Sequence, residues 1–567
     1  MTADALGLTS TDLVELAVLG LLAAGFLIWS SRAQIWFRAI AAQTKWCMAL
    51  LFALPIVLRL LLLPYHPAPT PDIYDEFSHL LAADTLLHLR LANPPHSLHQ
   101  FFETFFVLQQ PTYSSIYSLG QGGMLALGRL LTGTAWAGVL ISVGLLCSLC
   151  YWMLRGWVSA AWALAGGLLA VIEFGPLNLW ANCYWGGALA AAAGCLVFGA
   201  LPRLAVNWDR RSAVLLAIGL GVHALTRQFE STLLLLCILL FFIPLVRKRD
   251  QLTKLLRVAP AFMVTALPFV LSILLQNKAV THDWLELPEQ LSQYQYGVPT
   301  SLTFQPVPVP RVPLTPQQEM DYKAQSLGHG YRTDSLSAFL LRLEFRVRYY
   351  RFFFLPALYI ALVAFLFALR DERLRYAAGA MAIFALGTNL FPYLLPHYLS
   401  AVTCLFVLAA ITGWERLSRL RMGAEVVKIL GLLCVAHFLL WYGLHLFEQS
   451  PVLHDLEPYE TWDALNHGDA HNRKAVNQQL AAIPGKLLVF VEYSTHHIFQ
   501  NEWVWNTADI DSQRVVWARD LGANENAKLK GYYPDRTFLL LQPDLETPTL
   551  ELYQQQPAPT SLFQNVH

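Results

Sequence analysis

Long apolar runs recur along the whole chain, separated by short polar breaks and two long polar stretches. Runs near 12–30, 46–64, 135–154, 157–174, 182–201, 211–226, 230–246, 258–277, 352–369, 375–392, 398–414 and 426–447 approach or reach the length that crosses hydrocarbon as a helix, a thickness of ~30 Å. The pattern predicts a mainly α architecture, a polytopic transmembrane bundle of about twelve spans. The run 115–131 is apolar but short, and Gln121 and four glycines weaken it as a span.

Charge settles how that run is placed. Basic residues gather at Arg32/Arg38/Lys45, Arg203/Arg210/Arg211, Arg247/Lys248/Arg249/Lys254/Arg257, Arg370/Arg373/Arg375 and Arg416/Arg419/Arg421. Cytoplasmic loops are enriched in Lys and Arg, so all five clusters belong on one side. They share a side, with Arg155, only if 115–131 is an interfacial helix rather than a span. Segments 65–134, 175–181, 227–229, 278–351, 393–397 and 448–567 then face the exterior or periplasm, as do both termini. Chemistry in those loops is extracytoplasmic, which argues against ATP and nucleotide-sugars as direct substrates. The first apolar run lacks a basic leader and a cleavage motif, so no cleavable signal peptide is expected.

The C-terminal stretch breaks the pattern. After residue 447 come a helix-like Arg473–Ile483, a strand-like Lys486–Tyr493, Arg514–Ala518, a short helix over Asn524–Lys530, and Thr537–Leu541. Alternating short helices and apolar strands predict a small soluble α/β domain over 448–567, following a membrane domain over 1–447.

Composition supports the membrane reading. Only 14% of the 567 residues are charged and 55% are hydrophobic, whereas a soluble surface takes about 25% charged residues. Net charge is zero, so no nucleic-acid partner is indicated. All eight cysteines lie in apolar stretches, leaving the exterior segments without a disulfide framework. Cys147 and Cys150 form a C-x-x-C on an uninterrupted apolar helix, where packing is the simpler account.

Candidate chemistry begins just past the second apolar run, at Pro71-Asp72-Ile73-Tyr74-Asp75-Glu76-Phe77-Ser78-His79. Three carboxylates within five residues stand beside the bilayer. The run Phe77–Leu91 has helical spacing, so Asp75 and Glu76 fall at a helix start, where the dipole favours ionised carboxylates. Capping is the plain alternative for Asp72 or Asp75. Glu103, Gln109, Gln110-Pro111-Thr112-Tyr113 and Tyr117 follow in the same loop. Tyr184 and Trp185 precede a glycine- and alanine-rich span, Gly186–Gly199, whose small residues allow close helix approach. Arg227 and Glu230 sit at an outer membrane face, where a structural ion pair is the plain reading. His397-Tyr398 lies in another short exterior turn, with interfacial anchoring as its plain reading. The loop 278–351 has a Pro-rich centre, predicted to be extended, and Arg342, Arg346, Arg348 and Arg351 near its end. His496-His497 lacks a third metal ligand at supporting spacing.

The order of these features resembles the GT-C membrane glycosyltransferases, and within them the family-39-like group of protein mannosyltransferases and aminoarabinose transferases. In that group an acidic pair in the first exterior loop carries the catalytic carboxylate, and Asp75-Glu76 matches it. Gln110-Pro111-Thr112-Tyr113 matches a later proline-tyrosine segment loosely, and an extra span precedes the acidic loop. The likeness covers about residues 46–280 well and 350–447 as hydropathy. It implies transfer of a sugar from a polyprenyl-phosphate donor to a lipid, protein or glycan acceptor outside a bacterial inner membrane.

On that resemblance Asp75 is the expected base for an inverting attack, with Glu76 beside it. Asp72, His79, Gln110, Tyr113, Tyr184, Trp185, Arg227, Arg346, His397 and Tyr398 are the expected substrate-binding set. Whether a divalent metal takes part stays open, with Asp75 and Glu76 as the residues that would hold it. A transporter or flippase is one alternative, weakened by the near absence of ionisable residues at mid-span. An envelope polymer ligase or polymerase is the other, kept open by the loop 278–351.

Overall fold

The computed structural model describes residues 37–71, 73–297, 302–329, 334–446 and 473–553, with positions 17, 18, 20, 21 and 465 besides. The first apolar run, 12–30, and Asp72 therefore fall outside or almost outside the described residues.

The helices run in chain order as α1 (Thr44–Leu61), α2 (Tyr74–Leu87), α3 (Leu119–Thr132), α4 (Trp136–Leu154), α5 (Ala160–Phe174) and α6 (Ala188–Asn207). Then come α7 (Arg210–Ala224), α8 (Gln228–Val246), α9 (Arg249–Thr281), α10 (Pro288–Tyr296), α11 (Pro316–His329) and α12 (Leu336–Arg346). The bundle closes with α13 (Tyr359–Leu366), α14 (Glu372–Thr388), α15 (Thr403–Leu417) and α16 (Gly423–Leu444).

Among the described residues seven helical segments are long and apolar enough to cross a membrane: α1, α4, α6, α8, α9, α16, and Pro396–Leu417, which leads into α15. An eighth is broken. Leu336–Phe353 and Pro356–Leu366 meet at a bend of 106°, so the expected continuous span 352–369 is instead a corner. Pro356 explains the break, because it opens a new turn and cannot continue the helix before it. Several other expected spans form helices of under 18 residues: α5, α7 and α14 have 15, 15 and 17. The doubtful run 115–131 is a 14-residue helix, α3, ended by Gly133 in the left-handed conformation.

α6 is the hub of the bundle, packed against α4 and α7 and against the 3₁₀ turn Pro396–Val402 that precedes α15. Its small residues make this possible. A Cβ on Gly194 would stand 2.0 Å from the carbonyl oxygen of Ala401, so only glycine lets the two backbones touch. That contact fixes the level of the neighbouring His397-Tyr398 turn. α9 is the opposite case, apolar along most of its length and fully buried only at Val258 and in a cluster at its C-terminal end. Such a helix faces lipid.

The C-terminal segment folds as α17 (Arg473–Ala482), β3 (Leu487–Val491), β4 (Val515–Arg519), α18 (Ala523–Tyr532), β5 (Thr537–Gln542) and β6 (Thr549–Leu552). Two short strands of the first long loop (65–134), β1 (Val107–Leu108) and β2 (Ser114–Ser115), precede these and pair antiparallel. The tail sheet has the order β4-β3-β5-β6, with β3 parallel to both neighbours and β6 antiparallel. β3 is buried on both faces, which is why it reads as a continuous apolar run. Leu487, Val489 and Val491 meet Val476 and Leu480 of α17. Leu488 and Phe490 point the other way, into a core shared with Leu81, Phe101, Phe102, Val107 and Tyr113 of the first long loop.

Candidate active site

The site is assembled around the first turn of α2. Ile73 stands before it in extended conformation, and its backbone N–H donates to Glu76 Oε2 at 3.3 Å. The other oxygen, Oε1, accepts from the Tyr184 N–H at 2.7 Å. Glu76 thus closes the helix start and ties it to the turn before α6. Asp75, one residue earlier, points instead into a cavity of about 120 Å³.

Five parts of the chain wall that cavity. The first loop gives Asp75, Phe106 and Tyr117, and the turn before α6 gives Trp185. The α7–α8 junction gives Arg227 and Glu230, and the segment after α14 gives Tyr393, His397 and Tyr398. The long loop 278–351 folds over them, bringing Glu289 from α10 and Gln325 from α11.

The Tyr117 hydroxyl donates to Asp75 Oδ1. Burial pushes the Asp75 carboxyl up to about 7, against the pull of that bond and of the Arg227 charge; buried Asp321 adds to the rise. His79, one turn along α2, stacks on the Tyr117 ring at 4.2 Å. Burial takes its imidazole down to about 3, so it is neutral and holds Tyr117 by packing. Arg227 lies 4.3 Å over the Tyr398 ring and donates to Glu230 Oε1 at 2.6 Å. Glu289 is half-buried, and burial raises its carboxyl to about 7 with Arg227 opposing. Asp321 does not line the cavity but is fully buried in α11, bonded to Gln325 at 2.6 Å and raised to about 7 by burial.

The residues expected from sequence divide in two. Asp75, Trp185, Arg227, His397 and Tyr398 come together on the cavity, where Trp185 and His397 rings lie 4.8 Å apart. Glu76 binds backbone instead. His79 supports from behind. Tyr184 donates its hydroxyl to the Pro69 carbonyl at 2.9 Å, and Tyr113 donates to the Asn506 carbonyl at 2.9 Å, facing the tail. Gln110 meets His99 at 2.8 Å on the surface. Arg346 is buried and donates to the carbonyls of Thr388, Phe391 and Pro392, fixing the corner near the cavity without lining it.

Tyr117, Glu289, Asp321, Gln325 and Tyr393 were not in the expected set. Tyr117 follows the Gln110-Pro111-Thr112-Tyr113 segment in the first loop. For Glu289, Asp321 and Gln325 the sequence signal was proline at a helix start, since Leu287-Pro288-Glu289 and Thr315-Pro316 mark α10 and α11 on either side of a Pro-rich centre read as extended.

Among the described residues no group of three or more His, Cys, Asp or Glu is arranged to hold a metal ion. Glu76, one of the two residues expected to hold one, spends both oxygens on backbone N–H groups. In the tail, His497 is buried against Asp544 at 2.6 Å while His496 is exposed, so the pair does not converge.

A groove of about 1010 Å³ adjoins the cavity and shares Gln228, Phe229, Glu289 and Phe391 with it. It runs between Thr232 of α8, Ile273 of α9 and the Pro306–Pro310 segment of the long loop. Its inner end meets the acidic cavity and its flank meets the lipid-facing helix α9.

No family model and no curated protein matches the sequence. Solved structures do match in shape. ArnT from Cupriavidus metallidurans in the apo state is 13% identical, covers 88% of this chain and 93% of its own, and superposes with TM-score 0.51. The same protein bound to undecaprenyl phosphate gives 13%, 88%, 93% and 0.50. The Archaeoglobus fulgidus oligosaccharyltransferase is 11% identical over 88% of this chain and 69% of its own, at TM-score 0.44. The chain therefore shares the fold of ArnT.

Proposed function

From a chain built on the GT-C fold, we propose a membrane glycosyltransferase that moves a sugar from a polyprenyl-phosphate donor to an acceptor hydroxyl or amine. Asp75 is its base. The observation that carries this reading is the Asp75 carboxyl, raised to about 7 and set on a cavity, beside Arg227 and the Tyr117 hydroxyl, that continues into a groove beside a lipid-facing helix. A base works best when its pKa lies near the working pH, and Asp75 meets that condition. The ArnT structure with bound undecaprenyl phosphate supports a lipid-phosphate donor for this fold.

In the proposed step the acceptor heteroatom attacks the anomeric carbon as the bond from that carbon to the phosphate oxygen breaks. The acceptor proton passes to Asp75, and the polyprenyl phosphate leaves with the electron pair. One attack from the face opposite the leaving group inverts the anomeric centre. The phosphate is already a good leaving group, so no acid partner is needed, unlike the two-carboxylate glycosidases. Arg227 meets the growing phosphate charge, held in place by Glu230 and the Tyr398 ring. Tyr117 orients the base. The donor chain lies in the groove and the site faces the exterior side of the membrane.

The test is transfer of radiolabelled sugar from polyprenyl-phosphate-sugar in membranes, wild type against Asp75→Asn. Loss of turnover with normal expression and normal donor retention is expected. Full turnover by the variant removes Asp75 from the role of base.

A further inference from the structure

At the end of the bundle opposite the acidic cavity lies a second depression of about 260 Å³, lined among others by Trp157, Ser159, Arg373, Arg416 and Arg419. Its place follows from helix direction. α15 runs from the His397 turn at the site to Arg416 and Arg419, and α5 runs back from Ser159 towards the site end.

The charges there do not cancel. Glu415 accepts from Arg419 at 2.7 Å, and Asp371 is committed to capping α14 through the Arg373 N–H at 2.8 Å. Arg373 lies over the Trp157 ring at 5.0 Å and its Nη2 reaches the Gly156 carbonyl. Arg416 is half-buried and forms no ion pair among the described residues. Three guanidinium groups thus face two carboxylates that are already engaged. The first turn of α5 adds backbone N–H groups without a side-chain cap, since Ser159 makes no capping bond.

The other wall is apolar, with Val158, Leu374 and the Trp157 face. Tryptophan stacked under arginine also occurs next door, where Arg203 lies 4.0 Å over Trp152. Such pairs belong at headgroup depth, with the ring towards acyl chain and the cation towards water.

We propose that this depression binds the phosphate of an anionic phospholipid, with Arg416 and Arg373 as its main ligands and Val158, Leu374 and Trp157 against the glycerol and upper acyl chain. A guanidinium pair meets a phosphodiester through paired N–H groups. The apolar wall distinguishes a lipid from free phosphate, because free phosphate gains nothing from it. The inference is independent of the chemistry proposed for Asp75.

Native mass spectrometry of the full chain in detergent, titrated with dioleoylphosphatidylglycerol or dioleoylphosphatidylcholine, tests it. Phosphatidylglycerol should be retained in preference. Each arginine near a membrane surface contributes about five-fold to such binding, so Arg416→Ala should weaken retention about five-fold and the double variant Arg373→Ala/Arg416→Ala further. Arg416→Lys should recover part of it, and Arg257→Ala, an exposed cation on α9, should change nothing. Equal weakening by Arg257→Ala, or equal retention of phosphatidylcholine, overturns the proposal. So does displacement of the lipid by millimolar inorganic phosphate with the same arginine dependence, which would make free phosphate the ligand. Matched thermal melts in detergent separate lost binding from lost folding.

Discussion

Asp75 and Tyr117 form the residue-scale unit on which the proposed chemistry turns. The carboxyl is raised from its ordinary 3.8 to about 7, chiefly by burial, and the Tyr117 hydroxyl partly holds it down. A base must be ionised to act, so kcat/KM for sugar transfer should fall as pH drops through about 7. Tyr117→Phe removes the restraining bond, which should move that acid limb upward. A limb that stays put in the variant would detach Tyr117 from the titrating group. The same shift has a stability side. A carboxyl that binds its proton more tightly folded than unfolded stabilises the native state below about 3.8 and loses that contribution as pH rises through about 7. Asp75→Asn should therefore melt higher than wild type at pH 8 and show little difference at pH 4, by thermal scans in detergent. An unchanged melting temperature at pH 8 would mean that the buried charge is compensated.

At the scale of elements, α2 is held from several sides. Asp84 accepts from Arg129 of α3 at 2.9 Å with one oxygen and from the Ala508 N–H of the tail at 2.8 Å with the other. The Trp505 indole N–H donates to the Phe77 carbonyl at 2.9 Å. Removing one partner leaves a buried donor unsatisfied, at a cost of about 1–3 kcal/mol. Asp84→Ala should lower the melting temperature and reduce kcat, because it loosens the helix that aims Asp75. The Gly194 contact sets the opposite wall. Gly194→Val would force α6 away from Ala401, and loss of folded protein on size exclusion is the expected result.

At the scale of the whole molecule, the tail is not an appendage. Its sheet puts one face on α17 and the other on the first long loop, so Phe490 packs in the same core as Leu81 and Phe101. Arg519 of β4 also donates to the Glu103 carbonyl and to Gln317 of α11, joining tail, first loop and long loop. Phe490→Ala should cost about 3–5 kcal/mol, the range for a buried aromatic. It should also speed proteolysis in the first loop as well as in the tail. Cleavage confined to the tail would show that the two regions open separately.

Much of the bundle was legible from hydropathy, because a helix in lipid must satisfy its backbone internally and be apolar for about twenty residues. The shortness of α3 followed from its run of apolar residues, and β3, β4 and β5 from short apolar runs between turns. Asp75 stood out for its place beside the membrane, and Arg227, Trp185, His397 and Tyr398 for theirs at exterior turns. The resemblance put the base at Asp75, but spacing alone did not separate Asp75 from Glu76. Adjacent positions on a helix point about 100° apart, and only the partners decide which one sees the cavity. Nor could it bring Glu289 and Asp321 to the site from a loop more than two hundred residues away, or seat the tail on the first loop. Local sequence determined which segments are helix, strand or span. Which carboxylate faces the cavity, and what closes over it, was decided by long-range packing, whose energies belong to pairs of residues distant in the chain.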